Sequence, residues 1–79
     1  METDAMQDNN LTRMGNQIAT FFDSMPDRQE ALLDLATHLK KFWEPRMRRE
    51  FLSGIDGGHT AGMHPMLVAA VKQHRGLLE

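Results

Sequence analysis

The chain has 79 residues, a formal net charge of −2 and no cysteine. Without cysteine it has no disulfides, no thiol nucleophile and no thiolate ligands for zinc or iron–sulfur clusters. No apolar run approaches the ~18 residues that a membrane span needs, and the acidic N-terminus lacks the layout of a signal peptide. Composition therefore favours a small cytoplasmic domain that works with a partner protein over a self-contained metalloenzyme or a membrane protein.

Charge is distributed unevenly along the chain. Residues 1–30 carry two basic and six acidic side chains, a net charge of −4, whereas residues 31–79 carry seven basic and five acidic ones, a net charge of +2. Most of the basic excess lies in one run, Lys40, Lys41, Arg46, Arg48 and Arg49. Such a run is typical of an exposed helix face, but it also fits a surface that binds an acidic protein, a phosphate or a nucleic acid.

The first half of the chain predicts two helices separated by Pro26. The first begins at Asn9 or Asn10, whose side chains can cap a helix, and ends just before the proline, near position 24. The second follows Asp27, which forms a capping box with the glutamate three residues later, and ends around Trp43. The apolar stripes of these helices are Leu11, Met14, Ile18, Phe21 or Phe22, and Met25, and then Leu32, Leu35, Leu39 and Phe42.

The second half predicts two more helices on either side of a glycine-rich segment, residues 54–62. Pro45 suits the first position of the third helix, and His64 followed by Pro65 starts the last one, with Gly76 as its stop. The apolar faces of these two helices are Met47, Phe51, Leu52 and Ile55, and then Leu67, Val71 and His74.

No segment shows the two-residue alternation of a half-buried strand. The sequence therefore predicts an all-α fold, a small single-domain bundle of three to four helices over residues 9–79, preceded by a disordered acidic tail, residues 1–8. Burial and ordering nearly balance in so short a chain, so a partner protein or a homodimer would add needed stability. Leu78 and Glu79 resemble a cloning remnant and are given no function.

Several catalytic and metal-binding motifs are absent. His38 and His74 fall on separate helices, and His59 and His64 lie in or beside the glycine segment, so the spacing of a shared metal site is missing. The glycines of residues 54–62 follow a helix rather than a strand, which predicts a connector and not a phosphate loop. No serine has an activating base nearby. The sequence predicts neither a metal site nor an enzyme.

A nucleic-acid-binding protein is the main alternative. Arg46, Arg48 and Arg49 open the third helix, and a basic helix can enter the major groove of DNA. The pI of about 6.0 and the acidic first third disfavour this alternative. A homodimeric adaptor is the other possibility that the sequence leaves open.

The corner between the second and third helices is the most unusual cluster. Tryptophan and arginine are enriched at interface hot spots, so Trp43 and Arg46 fit a docking site; alternatively, Trp43 fills the core. Two amides in the middle of the first helix could contact a partner's backbone or be ordinary exposed side chains. The predicted partner-binding residues are Asn16, Gln17, His38, Phe42, Trp43, Pro45 and Arg46.

Three segments of the chain match patterns of a known family. Residues 13–22, RMGNQIATFF, and residues 38–47, HLKKFWEPRM, resemble two signatures of the delta subunit of NAD-dependent formate dehydrogenase. Residues 65–71 are similar to that family's closing helix. The chain departs from the pattern at Gly15, where alanine is expected, and at His64, where an aspartate cap is usual.

The resemblance implies a non-catalytic accessory subunit of a cytoplasmic molybdenum or tungsten formate dehydrogenase. Such a subunit would support assembly, cofactor loading or stability of the large subunit, which holds bis-molybdopterin guanine dinucleotide and oxidises formate. Iron–sulfur clusters, FMN and NAD are expected in partner subunits, and no cofactor is expected in this chain. We expect no nucleic acid and no membrane among its partners, and a homodimer is possible for the isolated chain.

Overall fold

The computed structural model describes the backbone of residues 2–79 and the side chains of residues 10–79. In this described part the chain forms five helices and no strand: α1 Glu2–Phe22, α2 Arg28–Phe42, α3 Pro45–Asp56, α4 Pro65–Gln73 and α5 Arg75–Leu78. The predicted all-α fold is confirmed. The predicted start of the first helix at Asn9 or Asn10 is wrong, because α1 already begins at Glu2. The sequence before these two residues contains no glycine or proline that would interrupt a helix. The disordered tail predicted for residues 1–8 lies outside the described side chains and stays a prediction.

Local chemistry sets the boundaries between α1, α2 and α3 as the sequence predicts. Asp27 caps α2, where its Oδ1 accepts a hydrogen bond from the backbone N–H of Glu30 at 3.2 Å. Trp43 has extended backbone angles at the end of α2, and Pro45 opens α3 at its first position. The two helices are thus separated by a two-residue corner, which fixes the direction in which α3 leaves α2.

The predicted stop at Gly76 is wrong. α4 ends at Gln73, because His74 leaves helical geometry with φ −120° and ψ 35°, and Gly76 lies within α5. The turn at His74 folds the chain back, so that Leu78 is only 2% exposed. Leu78, to which the sequence assigned no function, therefore belongs to the core.

α2 lies at the centre of the bundle and contacts each of the other four helices. Phe42, predicted for the buried stripe of α2, is instead exposed, because α2 ends there and the next residue, Trp43, takes the core position. The buried core residues are Ala19, Ala31, Leu32, Leu35, Ala36, Leu39, Trp43, Phe51, Leu52, Met66, Leu67, Ala70, Val71 and Leu78.

α1 approaches α4 closely at Gly15. A Cβ atom added at this position would lie 2.7 Å from Cδ2 of Leu67, whose side chain is fully buried. Glycine within a helix is less stable than alanine by up to ~1 kcal/mol. Glycine therefore replaces the alanine expected at position 15 because the side chain of Leu67 occupies the space of a Cβ atom.

Arg75 joins α5 to the end of α3. Its guanidinium donates two hydrogen bonds to the carboxylate of Asp56, at 2.8 and 2.7 Å, and a third to Oε2 of Glu79 at 2.8 Å. The hydrogen bonds from Arg75 lower the pKa of Asp56 below its ordinary value of 3.8. In turn, the same carboxylates raise the pKa of Arg75.

We expect Asp56→Asn to flatten the acid dependence of stability. Because the folded-state pKa of Asp56 is depressed, its carboxylate contributes stability above the unfolded pKa of 3.8, and this stability is lost as the pH falls through the folded-state pKa. Urea midpoints at about pH 4.5 and about pH 2.5 should therefore differ less in Asp56→Asn than in the wild type. Glu50→Gln, at an exposed position, serves as the control. An unchanged pH slope in Asp56→Asn would contradict the ion pair's contribution.

Candidate partner-binding site

Four rings form a continuous row across α1 and α2. Phe21 meets Phe22 edge to face with ring centroids 5.2 Å apart, Phe22 meets His38 at 6.0 Å, and His38 lies 4.6 Å from Phe42. We call these four residues the aromatic row. The sequence named His38 and Phe42 as site residues but missed the two phenylalanines of α1. The signal was present, because two successive phenylalanines on one helix cannot both face the core.

The two ends of the aromatic row are exposed. Phe21 is 72% exposed and Phe42 is 69% exposed, the highest values among the large apolar side chains that the structure describes, whereas Phe22 and His38 are half-buried. Apolar surface of this kind is common at sites of protein interaction. A shallow groove beside the row is lined by Gln17, Ile18, Phe21, Phe22 and His38.

Exposed cations border the Phe42 end of the row. Lys40 and Lys41 precede Phe42 in the chain and Arg46 follows it in the first turn of α3, with Glu44 as the single exposed acid between them. Within the described side chains, none of these three cations forms an ion pair. This end of the row therefore has a net positive charge that is available to a partner.

Trp43 lies in the core and not on the surface. Its side chain is 4% exposed, and its ring meets Phe51 edge to face with centroids 5.2 Å apart. This position agrees with the alternative in which Trp43 fills the core. Phe42, Pro45 and Arg46, in contrast, are exposed. The corner between α2 and α3 thus exposes apolar and basic side chains to solvent, whereas Trp43 packs into the core beneath them.

Arg48 is the structural residue that the sequence analysis missed. It is 8% exposed, its Nη1 donates to the backbone carbonyls of Lys40 at 2.8 Å and Trp43 at 2.9 Å, and its Nε donates to that of Leu78 at 3.2 Å. The prediction of an exposed Arg48 is wrong because the last carbonyls of α2 need donors, which the guanidinium supplies. Its spacing from Phe51 on α3 could have indicated a buried position.

The structure weakens the alternative in which the third helix binds DNA, because one of the three arginines proposed to contact DNA is not free to do so. Arg48 is committed to carbonyl groups of its own chain, so it is not available to phosphate. Of the three arginines, only Arg46 and Arg49 are exposed.

Asn16 holds the glycine-rich segment against α1. Its Nδ2 donates to the carbonyl of Gly62 and its Oδ1 accepts from the backbone N–H of His64, both at 2.8 Å. The predicted cap at His64 is confirmed, since its Nδ1 accepts from the N–H of Met66 at 3.1 Å. Gln17 is exposed and lines the groove. The two adjacent amides therefore have different surroundings.

Replacing Asn16 with alanine is expected to lower the free energy of unfolding by about 1–2 kcal/mol, because it removes two hydrogen bonds that join residues distant in sequence. Gln17→Ala, at the neighbouring exposed position, should change it by less than ~0.5 kcal/mol. Urea unfolding followed by circular dichroism would measure both. Equal effects of the two changes would show that Asn16 is not a structural clamp.

The part of the chain with described side chains contains no group of three histidine, aspartate or glutamate residues able to hold a metal ion. His64 caps α4 and His38 belongs to the aromatic row, so these two imidazoles have different structural roles. Of the described helices, none combines the length and apolar character needed to cross a membrane.

Comparison with known proteins gives one clear relationship. Residues 10–71 match the family described as NADH-dependent formate dehydrogenase delta subunit FdsD. Neither the curated proteins nor the solved structures gave a match. The matched range contains the aromatic row, Asn16 and Arg48, and it confirms the resemblance seen in residues 13–22 and 38–47. The chain therefore belongs to the FdsD family of formate dehydrogenase delta subunits.

Proposed function

We propose that this protein is a non-catalytic accessory subunit of a cytoplasmic NAD-dependent formate dehydrogenase. It docks on the large molybdopterin-bearing subunit and supports that subunit's assembly, cofactor loading or stability. The observation that carries this proposal is the family match over residues 10–71, most of the chain. A delta subunit belongs to an enzyme of several subunits, so a role in the assembled complex follows naturally from membership.

The chemistry of the side chains supports an accessory role. The sequence has no cysteine, so it offers no thiolate for an iron–sulfur cluster. Several side chains that could act as acids or bases have structural partners, as when Asp27 and His64 cap helices and Asp56 pairs with Arg75. In this proposal bis-molybdopterin guanine dinucleotide, the iron–sulfur clusters, FMN and NAD are held by partner subunits.

The predicted partner-binding residues divide into two groups. Two of them have a structural role: Asn16 is hydrogen-bonded to the end of the glycine-rich segment and to His64, and Trp43 packs on Phe51 and supports the corner. The others lie at least partly at the surface and would contact the large subunit directly; they are Gln17, His38, Phe42, Pro45 and Arg46.

An affinity pull-down from the native cytoplasm tests docking. The eluate of the tagged chain should contain the large molybdopterin-bearing subunit and should reduce NAD in a formate-dependent assay. Recovery of the chain with nucleic acid, or as a homodimer alone, would contradict the proposal.

A deletion experiment tests the accessory role itself. Cells without this chain should yield a large subunit that contains less molybdenum or tungsten per polypeptide, or that dissociates more readily from the other subunits. Re-expression of the wild-type chain should restore both. Metal content, subunit composition and activity that are all unchanged by the deletion would contradict an assembly or stabilising role.

A further inference from the structure

We propose that the aromatic row is the surface that binds the partner, and that its occupant is an apolar segment flanked by acidic residues. The identity of the partner as a formate dehydrogenase subunit rests on the proposed function. The shape, polarity and charge of the site come from the described side chains of this chain.

The arrangement of the four rings supplies the apolar part of the argument. Phe21 and Phe42 stand at the two exposed ends, and Phe22 and His38 are half-buried between them. Each ring contacts the next, with centroids 4.6 to 6.0 Å apart. Aromatic side chains that are already packed lose little conformational freedom on binding, which makes them effective hot spots. An apolar segment laid along the row would cover both exposed phenylalanines.

Gln17 adds a polar group at the edge of the groove. It is exposed, and its amide offers both donors and an acceptor to a backbone that passes beside the rings. The amide of Asn16, one residue earlier, is already bonded within the chain at both ends. The site thus combines an apolar surface with one adaptable hydrogen-bonding side chain.

Charge complementarity decides the kind of occupant. Lys40, Lys41 and Arg46 give the Phe42 end a net positive charge, since Glu44 is the only exposed acid among them. At the Phe21 end the carboxylate of Asp23 is paired with Arg28 at 3.0 Å. Acidic residues on the partner would therefore meet unpaired cations near Phe42, which favours correct orientation and fast association.

The same charges disfavour two other occupants. In a symmetric dimer centred on the Phe42 end, the cations of one copy would face those of the other. Nucleic acid would be attracted by the cations and the rings, but a formal net charge of −2 and a pI of about 6.0 for the whole chain disfavour a polyanion as the occupant. An acidic protein segment satisfies the rings and the cations together.

A pair of double variants tests the apolar contact. Phe21→Ala/Phe42→Ala should weaken binding to the purified large subunit at least ~30-fold. Leu33→Ala/Leu77→Ala removes the other large apolar side chains that are exposed in the described part and should change affinity less than ~3-fold. Circular dichroism and the fluorescence of the buried Trp43 would show that both variants keep the fold.

A pair of charge reversals tests the acidic flanks. Lys41→Glu should slow association with the large subunit ~5-fold at low salt, and the difference should vanish at ~0.5 M salt. Lys72→Glu, an exposed reversal on α4, should leave the association rate unchanged. Equal effects of the two reversals would overturn the acidic character of the occupant.

The outcomes separate this proposal from the proposed function. If the wild-type chain binds no formate dehydrogenase subunit, both fail. If the wild type binds the large subunit and Phe21→Ala/Phe42→Ala binds equally well, the aromatic row is not the interface, while the proposed function stands. If the double variant instead loses self-association or RNA binding, the occupant is a second copy or a nucleic acid, and either result overturns the proposal.

Discussion

Arg48→Ala is expected to lower the free energy of unfolding by about 3–5 kcal/mol, because it leaves three backbone carbonyls without their buried donor. Two of these carbonyls, of Lys40 and Trp43, belong to the end of α2 and the corner that follows. The third, of Leu78, belongs to α5. A domain of this length has a total stability of roughly 4–12 kcal/mol, so the variant should be only marginally folded.

The matched control for this change is Arg49→Ala. Arg49 is adjacent but exposed, so its replacement should change the free energy of unfolding by less than ~0.5 kcal/mol. Arg48→Lys should be intermediate, because one ammonium group cannot reproduce the three-way geometry of the guanidinium. Urea unfolding followed by far-ultraviolet circular dichroism would measure all three. A loss below ~1 kcal/mol in Arg48→Ala would mean that water replaces the lost donors.

Trp43→Ala should destabilise the domain by about 3–5 kcal/mol, since it empties a large volume between α2 and α3. The indole is 4% exposed and packs edge to face on Phe51, so the variant loses both buried area and an aromatic contact. Trp43→Phe retains part of the volume and should lose less.

The neighbouring residue provides a sharp control for this second prediction. Phe42→Ala removes an aromatic ring one position earlier, but that ring is 69% exposed, so the free energy of unfolding should fall by less than ~1 kcal/mol. Thermal and urea unfolding of the two variants would compare them directly. Equal losses in both would contradict the assignment of Trp43 to the core and Phe42 to the surface.

The two predictions also bear on the search for the docking site. Loss of partner binding in Trp43→Ala would follow from unfolding as well as from a lost contact. Phe42→Ala separates these causes, because we expect the domain to keep its fold. Binding experiments on this corner should therefore use exposed positions.

The helices could be predicted because their signals are local. Pro26 cannot continue α1, and Pro45 suits the first position of α3. The side chains of Asp27 and His64 cap the helices that follow them. The short α5 could not be predicted. Its position depends on the turn at His74 and on the burial of Leu78, which are tertiary effects without a strong local pattern.

The candidate site was predicted only in part. His38 and Phe42 could be named from the sequence, but their contact with α1 depends on how α1 and α2 pack. Arg48 was placed on the surface because arginine is mostly exposed and the carbonyl groups that bury it come from distant positions. Side chains that bond across the fold are poorly predicted from residue type alone.

Because α1 approaches α4 closely at Gly15, the distance between these two helices depends on the absence of a side chain at position 15. Alanine at this position would require the tip of Leu67 to move, in a core where that side chain is fully buried. A relative with alanine there must shift the tip of the side chain at position 67, hold α1 and α4 further apart, or carry a smaller side chain at position 67. The volumes of the side chains at these two positions are therefore coupled across one interface.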